Sequence, residues 1–153
     1  MADSNSKIAW HRAQLKKNRE ALKALEVARF NGGHDKLGDT QKAAEVLQSE
    51  HGVSAEVIDP RTLRPLDLDT ILESVKKTNR AVIVEEGWQF VGIGAQVVDI
   101  LQSQAFDDLD APIERVTQLN LNISYAANLE KAAEPNSEKI QAAVKKVLYR
   151  ENA

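Results

Sequence analysis

Apolar residues recur at helical spacing in the first part of the chain. Between residues 6 and 30 no Pro or Gly interrupts this stripe, which is formed by Ile8, Leu15, Leu22 and Leu25. Such a pattern predicts a helix of several turns. The alternative for the end of this segment is a strand over Ala24 to Phe30. We favour the helix.

From residue 39 onward, helical and strand patterns alternate. Asp39 or Thr40 is placed to cap a helix that stops at Gly52, and Asp67 is placed to cap a second helix that ends near Asn79. Short runs rich in β-branched residues predict strands at residues 55–58, 80–85 and 113–117.

Three further helices complete the pattern. One follows Gly92-Ile-Gly94, one is expected to be capped by Ser124 and interrupted at Pro135, and the last contains Ile140, Val144, Val147 and Leu148. Alternating strands and helices imply a mostly parallel sheet covered on both faces, a three-layer α/β/α sandwich. We therefore divide the chain into a mainly helical segment, 1–38, and an α/β domain, 39–153.

Composition narrows the class of protein. Charged residues make up 28% of the sequence with a net charge of −3, and the two signs are interleaved, so nucleic acid is not an expected partner. No cysteine is present to form a disulfide. The chain lacks an apolar run long enough for a membrane span and starts without a secretory signal, so we expect a soluble protein of the cytoplasm or an organelle matrix.

Candidate chemistry is sparse. Gly92-x-Gly94 before a helix is a weak phosphate-binding signal, and a tight turn is the favoured interpretation. The histidines lack ligand spacing, and we expect all three to lie at the surface. The acidic residues are expected to be solvated charges at loop ends: Glu85, Glu86, Asp107, Asp108 and Asp110. No catalytic, cofactor-binding or metal-binding residue is assigned.

Several segments match a known family in order and spacing. They include Ala55-Glu-Val-Ile-Asp-Pro-Arg-Thr-Leu-Arg-Pro-Leu-Asp67, Val84-Glu-Glu-Gly-Trp88 and Ala105-Phe-Asp-Asp-Leu-Asp-Ala-Pro112. The chain resembles the carboxy-terminal, transketolase-like domain of the pyruvate dehydrogenase beta subunit over about two thirds of its length. The pattern fails before residue 40, where the family begins with a strand, so we expect the first strand to be missing or replaced.

The resemblance implies a five-stranded mixed sheet with one antiparallel edge strand. It also implies that the complete enzyme decarboxylates a two-oxo acid with thiamine diphosphate and magnesium held by other parts of the assembly. The chain alone is then expected to bind neither cofactor and to be no enzyme. Its implied role is assembly with other dehydrogenase subunits and docking to the subunit-binding domain of the acyltransferase core, and a homodimer also remains open.

The same resemblance suggests docking residues. Asp110 matches an acidic position that in this family meets an arginine of the subunit-binding domain, together with the terminal carboxylate. Here the sequence continues to Ala153, so we expect a displaced terminal group, and Arg150 would oppose a basic partner. We expect Asp110 to face solvent near the last helix and to bind weakly.

Four residues are candidates for a subunit interface. Trp88 and Phe90 follow a strand end and would either plug the domain's own core or bury against a neighbour. Arg61 and Arg64 would either clamp an anion across a subunit boundary or form an intradomain ion pair. Two other functions remain open: a free-standing phosphate or small-ligand module, and an engineered or degenerate derivative without a partner.

Overall fold

The computed structural model describes residues 25–30, 34–122 and 124–150, with side chains from residue 38 onward. Within these ranges, strands and helices alternate along the chain. They are β1 (Leu25–Phe30), α1 (His34–His51), β2 (Ala55–Ile58), α2 (Leu68–Thr78), β3 (Ala81–Trp88), α3 (Ile93–Gln104), a 3₁₀ turn (Phe106–Asp108), β4 (Glu114–Gln118), α4 (Ala127–Ala133) and α5 (Ser137–Val147).

The four strands form one parallel sheet in the order β2-β1-β3-β4. β1 pairs with β2 from Leu25 opposite Ala55, and with β3 from Glu26 opposite Ala81. β4 pairs with β3, and the register shifts between Val84 and Trp88. The antiparallel edge strand implied by the family resemblance does not occur among the described residues.

Strand β1 corrects two expectations. Leu25–Phe30 is a strand and not the end of a helix, and residues 6–24 of the predicted helix lie outside the described residues. The first strand is therefore neither missing nor replaced, because it occupies the interior of the sheet. Hydrogen bonding to a strand on each side overrides the weak helical pattern of this segment. The expected division of the chain between residues 38 and 39 falls inside α1. The sheet begins before that division, with β1.

Helices cover both faces of the sheet, which confirms the α/β sandwich. On one face Val82 and Val84 of β3 join a buried cluster with residues of α1 and α5, such as Leu47 and Val144. On the other face Ile83 joins a cluster with residues of α2 and α3: Ile71, Val75, Val97 and Leu101. Side chains of a strand alternate between faces, so β3 supplies both cores.

The helix ends show where local sequence chemistry was sufficient. α1 starts at His34, five residues before the first expected cap, Asp39. It ends before Gly52, whose φ of 63° is the left-handed conformation that glycine adopts without strain. Asp67 caps α2 as predicted. Ser124 does not cap α4, because that position is Ala126 and no side chain bonds the first turn. In the described part of the chain, none of the helices is both long and apolar enough for a membrane crossing.

The Asp67 cap provides a test by pH. The Thr70 hydroxyl, 2.7 Å away, and then the Thr70 backbone N–H lower the pKa of the Asp67 carboxyl below its ordinary value of 3.8. Because the folded pKa is depressed, the stabilisation is present above 3.8 and is lost as pH falls through the folded pKa. We expect Asp67→Asn to lower the urea midpoint of unfolding near pH 6. Near pH 2, where nearly all carboxyl groups are protonated, the substitution should have little effect.

The matched control for this test is Asp69→Asn. It removes an exposed carboxylate of the same first helical turn without removing the bonds to Thr70. A pH-independent difference between wild type and Asp67→Asn, or an equal effect of Asp69→Asn, would contradict the cap as the source.

Candidate docking and assembly surfaces

A carboxylate is buried near the carboxyl end of β3. Glu85 is 2% exposed and accepts hydrogen bonds from the backbone N–H of Gly94 at 2.9 Å and from Nε of Arg115 at 3.1 Å. Nη2 of Arg115 donates a further short bond to the same carboxylate. Glu85 is thus not the solvated charge that its sequence position suggested. A buried charge of this kind is tolerable because it is paired and hydrogen-bonded.

The two glycines at the start of α3 make room for this carboxylate. A Cβ on Gly92 would lie 2.8 Å from Cδ of Glu85, and a Cβ on Gly94 would lie 2.9 Å from the same atom. The α3 N-terminus therefore already holds an internal anion. This geometry argues against the phosphate-binding alternative, because the place of a phosphate is filled by Glu85.

The Glu85–Arg115 pair also holds the loop that follows β3. Nη1 of Arg115 donates to the backbone carbonyl of Gln89 at 3.0 Å. Within this loop, which we call the aromatic loop (residues 88–91), Phe90 is 78% exposed and Val91 is 79% exposed. Val91 adopts a φ of 60°, a conformation that is rare for a β-branched residue and that persists only when its surroundings impose it.

The aromatic loop lies at the carboxyl end of the sheet. Trp88 is about half exposed and lies opposite Gln118, so Leu119 and Leu121, both exposed, follow β4 at this same end. The Phe90 ring therefore lies largely outside the domain's own core, and about half of Trp88 is left accessible. The alternative, burial against a neighbour, is retained as a proposal.

Arg61 and Arg64 lie in the segment after β2, which starts from the same end of the sheet. Both are exposed, and neither forms an ion pair with any residue in the described ranges. The turn between them is closed instead by the Thr62 hydroxyl, which donates to the carbonyl of Pro65 at 2.9 Å. The expected intradomain ion pair is therefore absent from this part of the chain.

The amino end of the sheet carries a second buried charge. Arg80, immediately before β3, is 2% exposed, and its Nε donates to the carbonyl of Val147 at the end of α5 at 3.0 Å. Its Nη1 lies 3.7 Å from Oδ2 of Asp110. The Asp110 side chain is only 19% exposed, so the expectation that this carboxylate faces solvent is corrected. Through Arg80 it lies near Val147, the last residue of α5.

The backbone around Asp110 is held from several directions. Its N–H donates to the carbonyl of Asn79 at 2.8 Å, and its carbonyl accepts from the Tyr149 hydroxyl at 3.3 Å. The side-chain amide of Asn79 donates to the carbonyl of Asp108 at 2.6 Å. We call Asn79, Arg80, Asp110 and Tyr149 the charged corner.

Arg150 contacts a different part of the domain from Asp110. Its Nη1 donates to the carbonyl of His51 at the end of α1 at 3.2 Å, a favourable place for a cation at a helix C-terminus. Ala153, the third docking candidate, lies outside the described residues. The structure thus joins Asp110 to Arg80 and Tyr149, which the sequence analysis did not single out.

Sequence reasoning missed Glu85, Arg115 and Arg80. Each of the two buried charges flanks the fully buried run Ala81 to Val84, and that adjacency was the available signal. A charge that a buried strand carries out of water requires a partner.

The described residues offer no cluster of side chains suited to hold magnesium. Within residues 25–30, 34–122 and 124–150, no three His, Asp or Glu side chains are grouped so as to hold a metal ion. The buried carboxylate Glu85 is engaged by Arg115 and Gly94. No step of cofactor chemistry is therefore assigned to these residues.

Comparison with protein families matches residues 36–140 to the transketolase C-terminal domain. The chain is similar to the pyruvate dehydrogenase E1 component subunit beta of Rickettsia felis, with 56% identity over 107 residues, covering 70% of this chain and 32% of that protein. The mitochondrial subunit beta of Dictyostelium discoideum is 48% identical over 114 residues, covering 74% and 32%. The chain spans about a third of the length of these relatives.

A solved structure shares the fold. It is described as a split-gene transketolase, an inactive beta4 tetramer, and it superposes with a TM-score of 0.67 at 23% identity. The match covers 86% of this chain and 40% of that one. At this level of identity the likeness supports the fold alone.

Two glycine substitutions test the packing around Glu85. We expect Gly94→Ala to destabilise the protein by about 1 to 3 kcal/mol, because the new methyl group overpacks a carboxylate that Arg115 holds in place. The control, Gly38→Ala, adds a methyl group to an exposed helical position with nothing within 4 Å. It should stabilise by about 0.5 to 1 kcal/mol.

Denaturant unfolding of the two variants and the wild type measures both effects. Equal changes in the two variants would show that Glu85 does not constrain the start of α3.

Proposed function

Because this chain belongs to the transketolase C-terminal domain family, we propose that it serves as the non-catalytic assembly and docking domain of a pyruvate dehydrogenase beta subunit. The complete enzyme of this proposal is a thiamine-diphosphate-dependent two-oxo-acid dehydrogenase. The observation that carries the proposal is the aromatic loop, which presents exposed apolar side chains on a backbone held by a buried ion pair.

The aromatic loop supports an assembly role at the carboxyl end of the sheet. Its exposed tip, Phe90 and Val91, is continuous with Trp88 and lies beside the exposed Leu119. Aromatic side chains are enriched at the centres of protein interfaces, and contiguous exposed apolar surface marks interaction sites. We assign this surface to contact with the other dehydrogenase subunit, the alpha subunit.

The charged corner supports a docking role at the amino end. Asp110 occupies the acidic position that, by family resemblance, meets an arginine of the subunit-binding domain of the acyltransferase core. Its remaining exposure permits one oxygen to accept from such a donor, and charge-assisted bonds are stronger than neutral ones. Arg150 is engaged with the end of α1, so it need not oppose a basic partner at Asp110.

The first test concerns activity. We expect the purified 153-residue chain to give no pyruvate decarboxylation with added thiamine diphosphate and magnesium, because the family resemblance places the segments that hold both groups in other parts of the assembly. Turnover above a no-protein blank, measured by carbon dioxide release, would contradict the non-catalytic assignment.

The second test concerns assembly. We expect Phe90→Ser to raise the Kd for the alpha subunit from the same organism by about tenfold or more, because a truncated aromatic at an interface centre costs on the order of 2 kcal/mol. The matched control is Phe106→Ser, which removes another exposed phenyl ring, at the opposite end of the sheet.

Calorimetric titration of both variants measures the two Kd values. Both phenyl rings are exposed, so thermal unfolding should show each variant within about 0.5 kcal/mol of wild type. If Phe106→Ser weakens alpha-subunit binding as much as Phe90→Ser, the aromatic loop is not the assembly surface.

A further inference from the structure

We propose that Arg80 is a positioning residue of the charged corner. It holds the Asp110 carboxylate in one orientation, with Oδ2 inward and the other oxygen outward. Its positive charge also cancels most of the long-range field of Asp110. Asp110 then accepts a bond from a partner in one direction but does not attract that partner from a distance. The inference rests on the proposed docking function, which it deepens by assigning separate roles to neighbouring acids.

The geometry around Arg80 leaves it little freedom. The guanidinium is buried, and its Nε is anchored on the carbonyl of Val147 at 3.0 Å. Its Nη1 and Oδ2 of Asp110 are both shielded from solvent and make no hydrogen bond to a described group. Their separation of 3.7 Å is too long for a hydrogen bond but close for two opposite charges in a poorly polarisable interior.

The orientation of Asp110 follows from these contacts. Its backbone N–H is bonded to Asn79 and its carbonyl to Tyr149, so the main chain cannot rotate freely. Because Oδ2 is buried against Arg80, the exposed part of the side chain lies on its other side. A cationic donor, such as a guanidinium of the partner, therefore meets one carboxylate oxygen from one direction.

The same contact changes how far the charge of Asp110 is felt. A cation and an anion 3.7 Å apart act as a dipole at distances near the Debye length, which is about 8 to 10 Å at ordinary salt concentrations. Asp107 and Asp108, on the preceding 3₁₀ turn, form no ion pair with the described residues. Asp107 is exposed, so its charge is not cancelled by a neighbouring cation. Asp107 and Asp108 then set the association rate through long-range attraction, and Asp110 sets the dissociation rate.

The first experiment needs no partner. In isotope-labelled full-length protein, the three-bond couplings that report χ1 of Asp110 should show a single rotamer in wild type. They should show averaging between rotamers in Arg80→Gln, which lacks the counter-charge. Unchanged couplings in a folded Arg80→Gln variant would overturn the positioning role.

A second variant covers the case in which Arg80→Gln does not fold. Arg80→Lys keeps the charge but loses the planar fork and the Nε bond to Val147. Without the bond to Val147 the cation is no longer fixed beside Oδ2 of Asp110, so we expect averaged Asp110 couplings in this variant as well. A single Asp110 rotamer in Arg80→Lys would overturn the positioning role of the anchored guanidinium.

The second experiment measures binding rates to the subunit-binding domain of the acyltransferase from the same organism, at several salt concentrations. We expect Asp110→Asn to raise the dissociation rate by about tenfold, with the association rate within about twofold of wild type. Asp107→Asn, the matched control, should lower the association rate and its salt dependence. Folded Arg80→Gln should increase that salt dependence, because the charge of Asp110 is no longer cancelled.

Different results would contradict the docking function and the directional role of Asp110. If Asp110→Asn lowers the association rate as much as Asp107→Asn and leaves dissociation unchanged, the directional role of Asp110 is wrong. If wild type does not bind the subunit-binding domain at all, the docking function fails, while the coupling measurements still decide whether Arg80 positions Asp110.

Discussion

Strand β3 carries a buried charge at each of its ends, and the two ends of the domain are organised around these charges. Arg80 precedes the strand and Glu85 lies toward its carboxyl end, each with 2% of its surface exposed. Removing a charge from water costs far more than an exposed ion pair returns, so each charge requires partners of its own. Arg115 and Gly94 supply them for Glu85, and Val147 and Asp110 supply them for Arg80.

These partners come from distant parts of the chain, so the buried charges favour one arrangement of the helices and strands. Arg115 belongs to β4, Gly94 to α3, and Val147 to the last helix, so only the correct packing of all three around β3 satisfies both charges. The aromatic loop and the charged corner are built on these same contacts. The two surfaces therefore lie at opposite ends of one parallel sheet.

Local sequence chemistry was enough to predict the α/β class, the Asp67 cap and the last helix. It was not enough for β1, because the strand state of Leu25–Phe30 depends on β2 and β3, which follow it in the chain. The partner of Glu85 was missed for a similar reason, since Arg115 is separated from it by 30 residues. Family resemblance suggested Asp110 as a docking residue, but only the structure shows Arg80 buried beside it, with Nη1 3.7 Å from Oδ2.

If the aromatic loop and the charged corner are separate binding surfaces, as proposed, the two ends of the sheet can bind different partners at the same time. Native mass spectrometry of the full-length chain, mixed with the alpha subunit and the subunit-binding domain from the same organism, tests it directly. We expect a ternary species in which one chain carries both partners, and we expect neither partner to change the affinity of the other. Displacement of one partner by the other would show that they share a surface, and would contradict the separation of the aromatic loop from the charged corner.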